Sequence, residues 1–163
     1  MQLLHKGDCE HCHEHFNYSL WNAELGECSY AYCDACGSVA TIEYHDPRMA
    51  LLPPSNLMHQ KIDASWEPYL APCNCGGSFR RAALPRCPLC HLELSAEHAG
   101  TYLEAMHAHI TKNWRWQGNW NDEYFIAMED PKTGTETMLM ANPFKSGETK
   151  KSKSRWTSLF SSD

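Results

Sequence analysis

The sequence predicts a small, metal-bound, β-rich α+β protein: two units each built round a four-cysteine metal site, with one helix and a C-terminal β-hairpin. Three observations carry that expectation. Eight of the nine cysteines fall into four close pairs, Cys9 with Cys12, Cys33 with Cys36, Cys73 with Cys75 and Cys87 with Cys90. Short runs alternate apolar and polar residues, the period of a half-buried strand. With 163 residues and a hydrophobic content of 42%, each half is near the size at which an apolar core alone is marginal. A cysteine-bound structural metal offsets that deficit, contributing on the order of 10–16 kcal/mol of apparent binding free energy at neutral pH.

The cysteines are taken first because they set the framework. Read in chain order they form two quartets: Cys9, Cys12, Cys33 and Cys36 as Cys-x2-Cys-x20-Cys-x2-Cys, then Cys73, Cys75, Cys87 and Cys90. Zn2+ favours four soft ligands in a tetrahedron, and a pair one or two residues apart on a tight turn supplies two of them, so two structural Zn2+ ions are expected. Spacing alone leaves crossed ligation between the quartets open. Cys73 and Cys75 have one residue between them, and Gly76 and Gly77 free the backbone to bend there. A disulfide framework would leave one of nine cysteines unpaired. The start of the chain, MQLLHKGDCEHC, has no apolar stretch of signal-peptide length, and no segment reaches the roughly 20 apolar residues that span a bilayer. The expected setting is therefore the reducing cytoplasm, of a bacterium, where thiols stay available to metal.

Residues 1–45 are expected to form the N-terminal unit. Phe16, Tyr18 and Leu20 alternate with polar neighbours, and after Gly26 so do Cys28, Tyr30 and Tyr32, which reads as a hairpin; Ala40, Ile42 and Tyr44 mark a third strand. Cys28 is expected to be a small buried side chain rather than a nucleophile. Residues 46–71 are a Pro-rich connection with a short helix, where Met58, Ile62, Trp66 and Leu70 recur at a spacing of four. The second unit, 72–144, adds to its cysteines a helix over 95–112, capped by Ser95 and striped by Ala99, Leu103, Met106 and Ile110. A hairpin over 124–140 follows, its strands marked by Tyr124, Ile126 and Met128 and by Thr137 to Met140 about a turn at Asp130 to Gly134. Residues 145–163 read as a disordered basic tail.

The segment Cys73-Asn74-Cys75-Gly76-Gly77, with Pro85-Arg86-Cys87-Pro88-Leu89-Cys90, resembles the knuckles of zinc-ribbon and rubredoxin-like proteins. The quartet from Cys9 to Cys36 shares the likeness less specifically. The resemblance implies two zinc ribbons, each a small antiparallel sheet with a closed four-cysteine site, carried over to these eight cysteines only. Ribbons of this kind serve as nucleic-acid contacts, docking modules or lids, and fold alone does not choose among them.

Catalysis is not expected. A catalytic zinc keeps a position open for water, which four thiolates fill, and the chain has no phosphate loop, nucleophile elbow or His-Glu-x-x-His pair. His11, His13 and His15 beside the first pair read as surface or supporting groups, and His107 and His109 point to different sides of the expected helix. The expected role is a non-enzymatic module that binds another protein, as an accessory, adaptor or regulatory subunit. The alternative is a nucleic-acid binder using Arg80, Arg81, Arg86 and the cluster Trp114, Trp116 and Trp120, with packing as the simpler use of those tryptophans. A thiol redox or metal-responsive switch is a third reading. Charge disfavours nucleic acid: the net charge is -6, and since residues 145–163 carry five basic and two acidic side chains, the body stands at -9 and the tail at +3. Trp156, Leu159 and Phe160 put large apolar groups on that tail, suited to packing or to docking.

Overall fold

The structure, a computed structural model, describes residues 4–94, 124–134 and 139–145. Within them the protein is β-rich, with strands β1 (Leu4–Asp8), β2 (His15–Asn22), β3 (Cys28–Cys33), β4 (Val39–Glu43), β5 (Phe79–Arg80), β6 (Tyr124–Met128) and β7 (Leu139–Ala141). They form two sheets, β1-β2-β6 and β5-β3-β4-β7. The expected helix over 95–112, the residues Trp114, Trp116 and Trp120, and the tail beyond Lys145 lie outside the described residues. No helix among the described residues is long and apolar enough to cross a membrane.

β3 explains the layering. All six of its residues are buried, because its two faces meet different partners. Cys28, Tyr30 and Tyr32 face a core shared with Tyr18, Phe125 and Met128 of the first sheet. Ala31 and Cys33 face a second core holding Ile42, Ile62, Trp66, Leu70, Phe79 and Phe144. The β3–β4 pair is thus a central layer, covered by the first sheet on one side and by the 46–71 connection on the other. The expected helix striped by Met58, Ile62, Trp66 and Leu70 does not form: the connection holds two 3-10 helices, Pro47–Leu51 and Ala64–Tyr69, capped by Asp46 and Asp63. Of those four residues only Trp66 lies in one, the prolines keeping regular structure short. Ile62, Trp66 and Leu70 are buried from it, while Met58 is exposed. Trp66 donates its Nε1 hydrogen to the Pro53 carbonyl at 2.8 Å, so the polar edge of a buried ring is satisfied.

Two expected hairpins are corrected. β2 and β3 do not pair: β2 lies antiparallel between β1 and β6, and residues 23–27 carry the chain across to β3 in the other sheet. The reason is burial, since a strand apolar on both faces belongs in the middle of a sandwich. Nor is 124–140 a hairpin, because β6 pairs with β2 while β7 runs parallel beside β4. Four consecutive residues of β6, Phe125 to Met128, are buried. Besides its pairing with β2, its backbone is held from the second sheet: the Tyr30 hydroxyl donates to the Tyr124 carbonyl at 3.0 Å, and the Tyr32 hydroxyl accepts from the Ile126 N–H at 2.9 Å. Tyr30 and Phe125 rings stack with centroids 4.7 Å apart, adding contact across the same seam.

Candidate metal centres

Each cysteine pair sits on the same local turn. The N–H of the first cysteine bonds the carbonyl two residues past the second: Cys9 to Glu14 at 3.0 Å, Cys33 to Ser38 at 2.7 Å, Cys73 to Gly77 at 2.8 Å and Cys87 to Leu92 at 3.0 Å. The residue directly after the second cysteine bonds back to the first, from His13, Gly37, Gly76 and His91. All four of those residues have positive φ, between 60° and 93°. A left-handed residue there turns the chain so that both sulfurs of a pair face one point. Backbone N–H groups also aim at sulfur, from His11 to Cys9 at 3.3 Å, Ala35 to Cys33 at 3.4 Å, Gly77 to Cys75 at 3.4 Å and Leu89 to Cys87 at 3.4 Å. Donors so placed stabilise negative charge on the thiolates.

The grouping in chain order is corrected by the assembled clusters. Cys9 and Cys12 join Cys87 and Cys90 in cluster A, and Cys33 and Cys36 join Cys73 and Cys75 in cluster B. The first turn therefore meets the fourth and the second meets the third, a nested arrangement. The cause is sheet topology: β5, entered from Cys73 and Cys75, pairs with β3 through Cys33↔Phe79 and Tyr32↔Arg80. Asp34 strengthens that junction by accepting the Ser78 N–H at 2.9 Å. On the other side, His11 Nε2 lies 2.8 Å from the Glu93 carbonyl and ties the first turn to the fourth.

Distances test whether the clusters fit an ion. Sγ atoms stand 3.6 Å apart for Cys9 and Cys90, 3.8 Å for Cys12 and Cys87, 3.5 Å for Cys33 and Cys75, and 3.6 Å for Cys36 and Cys73. A regular tetrahedron with metal–sulfur bonds of about 2.3 Å has edges of about 3.8 Å. The clusters fit such an ion, and the sulfurs are far beyond the roughly 2.05 Å of a disulfide. Burial pushes the Cys33 and Cys87 thiols of the metal-free chain up to about 12 against the pull of nearby N–H groups. Without a cation beside them these two sulfurs keep their protons at neutral pH, and a bound cation would favour the thiolate form.

Two glycines were not singled out as contacts by the sequence alone. A Cβ at Gly77 would stand 2.6 Å from Cys33 Sγ, and one at Gly37 would stand 2.7 Å from the backbone nitrogen of Arg86. The second contact joins the clusters, since Gly37 ends a turn of cluster B and Arg86 precedes Cys87 of cluster A. The signal was present as Cys33-x-x-Cys36-Gly37 and Cys75-Gly76-Gly77, but it reported turn geometry rather than the neighbour. Cys28 lies outside both clusters, buried, its thiol pushed up to about 11 by burial and by the Glu43 charge. Among the described residues no histidine joins a cluster; His15 pairs with Asp8, and His13 serves its turn through its backbone.

The three arginines are held within the fold. Arg81 donates to the carbonyls of Lys61 and Ile62 at 3.1 and 2.9 Å, and Arg86 to the carbonyl of His91 at 2.8 Å and to Glu93 at 3.3 Å. Arg80 pairs with Glu67 at 3.2 Å and with Asp34 at 3.7 Å. Arg80 and Arg86 thus meet carboxylates, and Arg81 is held by backbone carbonyls.

Fold and clusters together define a β-rich protein with two four-cysteine clusters, compatible with zinc-ribbon-like sites. The chain belongs to the family described as Domain of unknown function (DUF8255), whose model matches residues 5–96 and so takes in all eight clustered cysteines. No curated protein and no solved structure matches the chain.

Proposed function

We propose that this chain holds two structural Zn2+ ions, one per cluster, and acts as a non-enzymatic module that docks onto another protein as an accessory, adaptor or regulatory subunit. The observation that carries the reading is the closed set of four sulfurs in each cluster, which leaves no ligand position for a reacting water. Tetrahedral sulfur sets suit zinc or iron, and an ion without redox chemistry suits a framework role. The surface beside cluster A supports docking. Leu89 on the fourth turn and Leu92 after it are exposed, and Leu92 shares a shallow groove with Leu84, Arg86 and Glu93. Apolar side chains rimmed by charge are the make-up of a protein contact. Nucleic-acid binding has less support, because Arg81 and Arg86 are engaged with backbone carbonyls and the body is acidic.

Metal analysis of the purified chain is expected to return two zinc ions. Capture from native cytosol, with and without nuclease, is expected to return a stoichiometric protein partner that survives nuclease and is lost with Leu92→Glu. Recovery of single-stranded nucleic acid alone, released by salt, would replace this reading with the nucleic-acid one.

A further inference from the structure

The two clusters differ in access. In cluster A two cysteines are buried and two half-buried, whereas cluster B has one exposed residue, Cys75, the single exposed cysteine of the nine. Its exposure follows from the sequence. The Cys73-Asn74-Cys75 turn is one residue shorter than the other three, and the Gly76 that closes it has nothing within 4 Å of where a side chain would begin. Behind Cys75, at 3.5 Å between sulfurs, is Cys33, which solvent does not reach at all. An exposed cysteine with a fully buried one at that sulfur–sulfur distance is the arrangement of an attacking and a resolving thiol.

We propose that Cys75, with Cys33 behind it, is an oxidation site through which a peroxide releases the ion of cluster B while cluster A keeps its own. The Cys75 thiolate attacks one oxygen of hydrogen peroxide; the S–O bond forms as the O–O bond breaks, and hydroxide leaves. The Cys33 thiolate then attacks the Cys75 sulfenic acid; the S–S bond forms as the S–O bond breaks, and a second hydroxide leaves. The two sulfurs together lose two electrons, the peroxide gains them, and solvent supplies the protons that turn both hydroxides to water. Cluster B is left with Cys36 and Cys73 as thiolates, half a tetrahedron, and its ion dissociates. Disulfide reductants reverse the step by thiol exchange. Cluster A is the internal control, held in the same chain under the same oxidant.

This inference rests on the metal-binding reading, and the ion count taken before oxidant tests that reading separately. The experiment treats the zinc-loaded full chain with hydrogen peroxide, follows released zinc with a chromophoric chelator, and maps disulfides by peptide mass. Loss of one of two ions, a Cys33–Cys75 disulfide, a fall from nine free thiols to seven in the unfolded chain, and recovery with reductant and zinc are expected. Loss of both ions together, no loss, or a disulfide between other cysteines overturns the proposal. A second measurement needs no variant: brief iodoacetamide treatment of the loaded chain should label Cys75 ahead of Cys12, Cys36 and Cys90, and equal labelling of the four overturns it as well.

Discussion

Gly37 and Gly76 occupy the same place in their turns, with φ of 79° and 93°, yet their surroundings differ. A side chain at Gly76 meets open space, while one at Gly37 meets the backbone of Arg86. Gly76→Ala should therefore cost only left-handed strain, about 1–2 kcal/mol, and Gly37→Ala that amount plus the displacement of Arg86. Denaturant unfolding of the metal-loaded variants measures the difference; equal losses would show that the approach of the two turns is not held. His13 and His91 are left-handed without being glycine, so His91→Gly should hold or raise stability, by up to about 1 kcal/mol, where His91→Ala does not. Tyr32 makes a different argument. Its hydroxyl accepts the buried Ile126 N–H, and Tyr32→Phe removes that acceptor without removing the ring, so about 1–3 kcal/mol should be lost.

At the level of elements, β6 is held from both sheets: β2 pairs with its backbone, and the hydroxyls of Tyr30 and Tyr32 take the groups that β2 leaves. Hydrogen exchange should accordingly find the Ile126 amide protected in the native chain and exposed in Tyr32→Phe. The alternation of Tyr124, Ile126 and Met128 made the strand legible, but its partner was not, because period two describes one strand and says nothing of which strand lies alongside. The same limit explains the misplaced hairpins. β1 went unread because Leu4, His5, Lys6, Gly7 and Asp8 carry no alternation; Gly7 is there to let the Phe16 ring lie over it, with a Cβ only 2.6 Å from that ring. Each cysteine pair was legible, since two ligands on one turn are a local property. How four equivalent pairs combine is not local, and the register of β5 on β3 decides it.

For the whole molecule, nesting means that neither end of the chain can fill a tetrahedron by itself. A fragment of residues 1–45 holds Cys9, Cys12, Cys33 and Cys36, two sulfurs of each cluster. It should bind zinc weakly and stay unfolded, whereas the full chain should unfold on chelation at neutral pH, both read by circular dichroism. Acid acts in the same direction. Burial raises the Cys33 and Cys87 thiols of the metal-free chain to about 12, so protons compete strongly for those sulfurs, and metal-linked stability is full at high pH and lost as pH falls. A zinc-release titration should therefore run toward release with acid, and release on raising pH would contradict it. Nesting also sets a timetable for synthesis. Cluster B has all four sulfurs once Cys75 has left the ribosome, but Cys9 and Cys12 must wait for Cys90, on the order of 4–16 s after Cys12 at 5–20 residues per second. Of the eight clustered thiols the first two made are the last to find their full set, and through that interval a reducing surrounding would keep them ready for an ion.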